Sequence, residues 1–161
     1  MPDMSKVSVI MPDLDAVEAQ RLKDQMSSIL RSEYNGLAFE KDKLCIRIEE
    51  AETMHNSVTK HVEALKQWVA DNDLCDDLCE RARIEGAEYI RGKITERIDG
   101  LNNQLRELYL YGKELYYLGE RLNEKELRET SPATSLQNMK LLWKQLESLR
   151  ENRLASMTSE E

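Results

Sequence analysis

Apolar residues return every seven positions along two long stretches of this chain. The first ladder is Leu30, Leu37, Leu44, Ala51, Val58 and Leu65; the second is Ala87, Ile94, Leu101, Leu108, Leu115 and Leu122. An α-helix completes two turns in about seven residues, so a seven-residue repeat holds one stripe on one side and drives helices to pair along it. No proline interrupts the span from Asp13 to Ser131. The pattern predicts an all-α protein, with a long coiled-coil helix followed by a helical hairpin or a small C-terminal bundle.

Asp13 has the chemistry of an N-cap, and Leu14, Val17, Leu22, Met26 and Ile29 give the start of the first helix a helical apolar face. With the ladder at heptad position d, Tyr34, Lys41, Ile48, His55, Val62 and Val69 fall at position a. Lys41 and His55 are polar, and polar groups there restrict register and partner number at a cost in stability. The two ladders are out of phase: 29 residues separate Leu65 from Ile94, where the repeat needs a multiple of seven. One residue rotates the stripe by about 100°, so a loop, kink or reversal is expected in 70–76. Asp99-Gly100 is read as tolerated inside the second helix. Thr134 or Ser135 is expected to cap a third helix, with Arg150 and Arg153 near its negative C-terminal end. The segments are therefore 1–12, a flexible N-terminus; 13–70, a coiled-coil stalk; 71–131, a second long helix; 132–154, a C-terminal helix packing back; and 155–161, a flexible tail.

Composition supports this reading. Charged residues make up 34% and aromatics 6%, the balance of long helices with solvated outer faces. The net charge of −8 argues against nucleic acid as a direct ligand. The apolar run Val7–Met11 is too short for a signal peptide or a spanning helix, so no direct membrane insertion is expected and a cytoplasmic location is. Three cysteines, Cys45, Cys75 and Cys79, fit reduced thiols. Cys75 and Cys79, four apart on the expected second helix, read as small apolar residues, since His55 and His61 are too distant to complete a zinc set. The acidic run Asp71, Asp73, Asp76, Asp77 lacks the glycine and terminal glutamate of a calcium loop and reads as a solvated helix start. No catalytic residue, metal site or cofactor is assigned, and the chain is read as no enzyme.

Binding is the remaining class of function. The partner interface is assigned to Leu30, Tyr34, Leu37, Leu44, Ile48, Val58, Val62 and Leu65, along the first ladder. Gly112 and Gly119, seven apart, are expected to let a neighbouring helix approach closely. Four of the six tyrosines, Tyr109, Tyr111, Tyr116 and Tyr117, lie beside them. That cluster suits either an intramolecular core or a partner interface.

The C-terminal third resembles a known family. Leu105-Arg106-Glu107-Leu108-Tyr109, then Leu115-Tyr116-Tyr117-Leu118-Gly119-Glu120-Arg121-Leu122, is similar to the start of the steadiness box of the tumour-susceptibility (vacuolar sorting) subunit of ESCRT-I. Met139-Lys140-Leu141-Leu142 with Lys144-Gln145 is similar to that family's final helix, and Val58–Leu65 to the end of its coiled coil. The resemblance implies a helical cap built from Leu108, Tyr109, Leu115, Tyr117, Leu118, Gly119, Leu122, Met139, Leu142 and Leu146. It implies hetero-oligomeric assembly with other helical subunits during endosomal sorting, peripheral at endosomes. The family's ubiquitin-binding domain has no counterpart in this chain, so that binding is not implied. The competing reading is an unrelated coiled-coil subunit of a kinetochore, tethering or cytoskeletal complex. The two differ in whether residues 105–129 and 135–154 pack antiparallel, with Tyr117 and Leu118 near Leu142 and Leu146.

Overall fold

The computed structural model describes residues 13–124 and 131–159, so the expected flexible N-terminus at 1–12 lies outside the described residues. The described chain is all α: α1 spans Leu14–Asp71, α2 spans Leu78–Leu122 and α3 spans Pro132–Ser159. The long first helix is thus followed by a helical hairpin, as the ladders predict.

Each helix end has a local cause. Asp13 caps α1: its carboxylate accepts a hydrogen bond from the Asp15 amide at 3.0 Å, and its carbonyl accepts one from the Val17 amide. Helix α1 closes in a Schellman turn, in which the Leu74 amide donates to the Val69 carbonyl at 2.9 Å and the Asp73 amide to Ala70 at 3.3 Å. That turn needs a left-handed residue, and Asp73 supplies it at φ 52°. The reversal occupies 72–77, inside and just past the expected window. Asp77 then caps α2, accepting from the Glu80 amide at 3.1 Å, so part of the acidic run is a helix start.

Several boundaries differ from expectation, among them the end of α2, which closes at Leu122 rather than near 131. Helix α2 begins at Leu78 rather than near 74, which leaves Cys75 in the connection and only Cys79 on the helix. Both thiols are exposed, so neither acts as apolar filling, while Cys45 is half-buried. Helix α3 begins at Pro132, and its cap is Ser131 rather than Thr134 or Ser135. The Ser131 hydroxyl accepts from the Thr134 amide at 3.4 Å, and proline suits the first helical position because its missing N–H has no intrahelical acceptor there. The helix continues through 155–159, residues read as part of a flexible tail, because nothing in Ala155–Ser159 breaks it. Gly100 does lie within α2.

Two compact units result, and both α1 and α2 contribute to each. In the unit Gly36–Leu110, α1 and α2 form an antiparallel hairpin. Leu44, Ile48 and Ala51 of α1 make one core with Leu101 and Leu108 of α2, and Leu37, Ile98 and Leu105 pack against it. Val62, with no exposed surface, and buried Val69, Ala87 and Ile94 extend the apolar seams toward the turn. Each fully buried aliphatic side chain contributes about 1.5–3 kcal/mol of transfer free energy. Lys66 pairs with Glu88 at 2.7 Å, holding Glu88 below the usual carboxylate range through that hydrogen bond. Both groups are well exposed, so the pair fixes register more than it stabilises.

The other unit contains the described residues of 14–35, 111–122 and 132–159. Ala19, Leu22, Met26 and Leu30, spaced three and four apart, are the buried stripe of α1 there. Tyr111, Leu115, Leu118 and Leu122 answer from α2, and Met139, Leu142 and Leu146 from α3. Met26, Leu30, Leu118, Leu122, Leu142 and Leu146 line one small crevice. The Arg121 guanidinium donates to Gln145 at 3.0 Å and Arg153 lies over the Tyr111 ring, which sets α3 antiparallel to α2.

Candidate functional site

Both ladders are largely buried, and burial sorts the expected interface residues. Leu44, Ile48 and Val62 are buried in the hairpin against the same chain's α2 side, Leu37 packs on their core, and Val58 and Leu65 are half-buried. In the other unit Leu30 is buried, while Tyr34 keeps much of its surface. Burial raises the Tyr34 phenol above its ordinary pKa, and nearby Tyr116 and Glu120 add to the shift. Lys41 is exposed despite its position-a phase, and His55 is half-buried.

The expected cap residues divide in the same way. Leu108 belongs to the hairpin core. Leu115 has no exposed surface, and Leu118, Leu122, Met139, Leu142 and Leu146 are buried. Leu118 meets Leu142 and Leu146 around the crevice. Tyr117 does not join them: it is exposed, with its ring edge-on to Tyr116 at 6.1 Å. Tyr109, at 70% exposed, also points outward. Of the four clustered tyrosines only Tyr111 is buried. Gly119 is half-buried, yet a Cβ built on it would meet only Leu30 Cδ1, at 3.8 Å. That is ordinary contact, so Gly119 is not required by a close helix approach.

A polar clasp crosses this three-helix unit; Tyr111, Arg150 and Arg153 are marked in the sequence, each for another role, and Glu33 is not. Tyr111 of α2 donates its hydroxyl hydrogen to Glu33 of α1 at 3.0 Å, and Arg150 of α3 donates to the other oxygen of Glu33 at 3.0 Å. Arg153 sits 5.7 Å from the Tyr111 ring centre, a cation–π distance. Burial pushes the Tyr111 phenol far above its ordinary pKa, and the hydrogen bond to Glu33 pushes it further. Arg150 and Arg153 therefore bind neighbouring helices rather than the end of their own, because α3 continues to Ser159. No sequence signal marks Glu33 as the acceptor for Arg150, since the two are 117 residues apart.

What remains outward is also informative. Phe39, Ile46, Met54, Trp68, Leu78, Tyr89 and Ile90 are exposed in the hairpin unit, and Tyr109 and Leu110 lie near its end. Tyr116, Tyr117, Leu141 and Leu154 are exposed in the three-helix unit. Single exposed apolar residues are common on protein surfaces, but aromatic side chains in this number supply contact area at low entropic cost. Among the described residues, no group of three or more His, Cys, Asp or Glu is placed to hold a metal ion, and no helix is long and apolar enough to cross a membrane. In comparisons with known proteins, no family model, no curated protein and no solved structure matches the chain.

Proposed function

We propose that the chain is a non-enzymatic helical assembly subunit, an ESCRT-I-like core component acting in endosomal protein sorting with other helical subunits. One observation carries the assembly reading: the ladders are consumed inside the chain, yet aromatic and aliphatic side chains still stand outward on α1 and α2. Such residues are the usual anchors of protein–protein contacts. The endosomal part rests on the Tyr117-Leu118-Gly119-Glu120 resemblance. Its support is the antiparallel run of α3 on α2, with Leu118 beside Leu142 and Leu146. Tyr117, which that resemblance would place inside, is exposed instead.

Co-purification from native lysate, followed by identification of stoichiometric partners, tests the proposal. Vacuolar-sorting subunits are the expected companions. Kinetochore, tethering or microtubule components would sink the endosomal reading and leave a coiled-coil subunit of another complex. Recovery of the chain alone would sink assembly itself.

A further inference from the structure

The turn between α1 and α2 carries acidic and apolar groups; of the basic residues that flank it, Lys66 pairs with Glu88, Arg83 lies 3.6 Å from Glu80, and Arg81 is exposed. From Gln67 to Glu80 the chain carries five carboxylates and no Lys, Arg or His. Asp71, Asp73, Asp76 and Asp77 are all exposed there. The same tip exposes Leu78 to 78% and Trp68 to 47%, while the lysine just before it, Lys66, is engaged with Glu88. Trp68 is fixed near the helix end, where its carbonyl accepts bonds from both the backbone and the side-chain amide of Asn72. Those bonds hold the backbone that carries the half-exposed indole, a rigid amphipathic ring with a flat apolar face.

We propose that this tip docks a basic, amphipathic segment of a partner protein, with an aliphatic anchor against Trp68 and Leu78 and Arg or Lys against Asp71, Asp73 and Asp76. Charge complementarity selects that occupant. A guanidinium can stack on the Trp68 face and bond a neighbouring carboxylate, two interactions that a neutral or acidic segment lacks. A second copy of this tip is disfavoured, because it would set like charges against each other. The proposal extends the assembly reading by naming the partner's chemistry at one place. The two fail separately, since co-purification reports on stoichiometric partners and the following titration reports on the tip alone.

The probe is a short synthetic peptide of Leu alternating with Arg and Lys, with a control in which Glu replaces every Arg and Lys. The full chain, labelled with nitrogen-15, gives two indole signals, Trp68 and Trp143, assigned with Trp68→Phe. The basic peptide is expected to shift the Trp68 indole and the amides of 68–79 saturably, leaving Trp143 in place. Binding should weaken about tenfold as salt rises from about 50 to about 300 mM. Neutralising the tip with Asp71→Asn, Asp73→Asn and Asp76→Asn together should weaken binding about tenfold. Trp68→Ala alone should do the same, and serves as the test if the triple variant loses its helical signal. The proposal is overturned by unchanged affinity in these variants, by equal shifts at Trp143, by equal binding of the Glu peptide, or by no binding. A Trp68 signal that moves with protein concentration alone would assign the tip to a second copy and overturn it too.

Discussion

Tyr111 and Glu33 lie 78 positions apart in the chain, and a 3.0 Å hydrogen bond joins them inside the three-helix unit. The phenol is 7% exposed, and its acceptor also holds Arg150, so one carboxylate ties three helices. A hydrogen bond to a charged group contributes about 1.5–3 kcal/mol. Glu33 keeps Arg150 when the phenol is removed, so Tyr111→Phe should cost about 1.5–2 kcal/mol, at the low end of that range. Urea denaturation at neutral pH measures it, and an unchanged midpoint would show that the bond does not form.

The same bond sets a pH dependence. Burial and Glu33 raise the folded-state pKa of Tyr111 above its unfolded value near 10. The contribution is therefore complete below about pH 10 and is lost as the pH rises toward the folded value. Wild-type stability should fall more steeply above about pH 10 than that of Tyr111→Phe, by up to about 1.4 kcal/mol per pH unit for the one additional proton. Identical slopes in the two proteins would mean that the phenol titrates freely.

Leu44 and Ile46 stand two residues apart on α1 with opposite environments: Leu44 is buried in the hairpin core and Ile46 is mostly exposed. Leu44→Asp leaves an unpaired charge among Ile48, Leu101 and Leu108, a loss of about 3–5 kcal/mol. Ile46→Asp should change stability by less than about 0.5 kcal/mol. Thermal melts followed by circular dichroism should separate the two variants by about 10 °C. Equal melting temperatures would show that the first ladder does not pack on α2.

The helices, the reversal and the third helix were legible because heptad spacing, the one-residue phase slip and the Thr-Ser-Pro punctuation are local signals. What covers each ladder was not legible. A stripe such as Leu37, Leu44, Ala51 reads the same whether α2 of its own chain or a partner helix lies on it, and only the reversal at 72–77 decides. The tyrosine cluster shows the same limit: Tyr111 and Tyr109 are two residues apart, and helical phase puts one in the core and the other in solvent. The Glu33 clasp was invisible because its members come from three helices and carry no shared motif. Gly119 misled for a different reason. Small size in an apolar repeat suggests close approach, and the structure has room for a side chain there.

Asp73 occupies the left-handed position that closes α1, where glycine is the usual residue. Asp73→Gly should remove the steric cost of φ 52° in a residue with a Cβ, set against the larger entropy of an unfolded glycine. The balance should favour glycine by about 0.5–1 kcal/mol, read as a higher urea midpoint with an unchanged slope. Destabilisation would mean that Asp73 is not left-handed in solution. Stabilisation together with weaker binding of the basic peptide would identify Asp73 as a carboxylate retained at the tip despite the strain of its backbone.

Gly119→Ala probes the three-helix unit from the opposite direction. Glycine inside a helix costs about 0.8–1.0 kcal/mol relative to alanine, from backbone entropy and lost side-chain packing. The added methyl would lie 3.8 Å from Leu30 Cδ1, in contact without overlap, so nothing in the fold offsets that gain. Gly119→Ala should therefore stabilise the chain by about 1 kcal/mol, raising the melting temperature by about 2–4 °C. The ESCRT-I-like reading gives this variant a second use, since Gly119 belongs to the element that carries the resemblance. A stabilised Gly119→Ala protein that keeps its partners would assign the glycine no part in assembly. A stabilised protein that loses them would locate a partner helix on the α2 face around Gly119. A destabilised one would mean that α1 and α2 approach more closely there than the 3.8 Å contact allows.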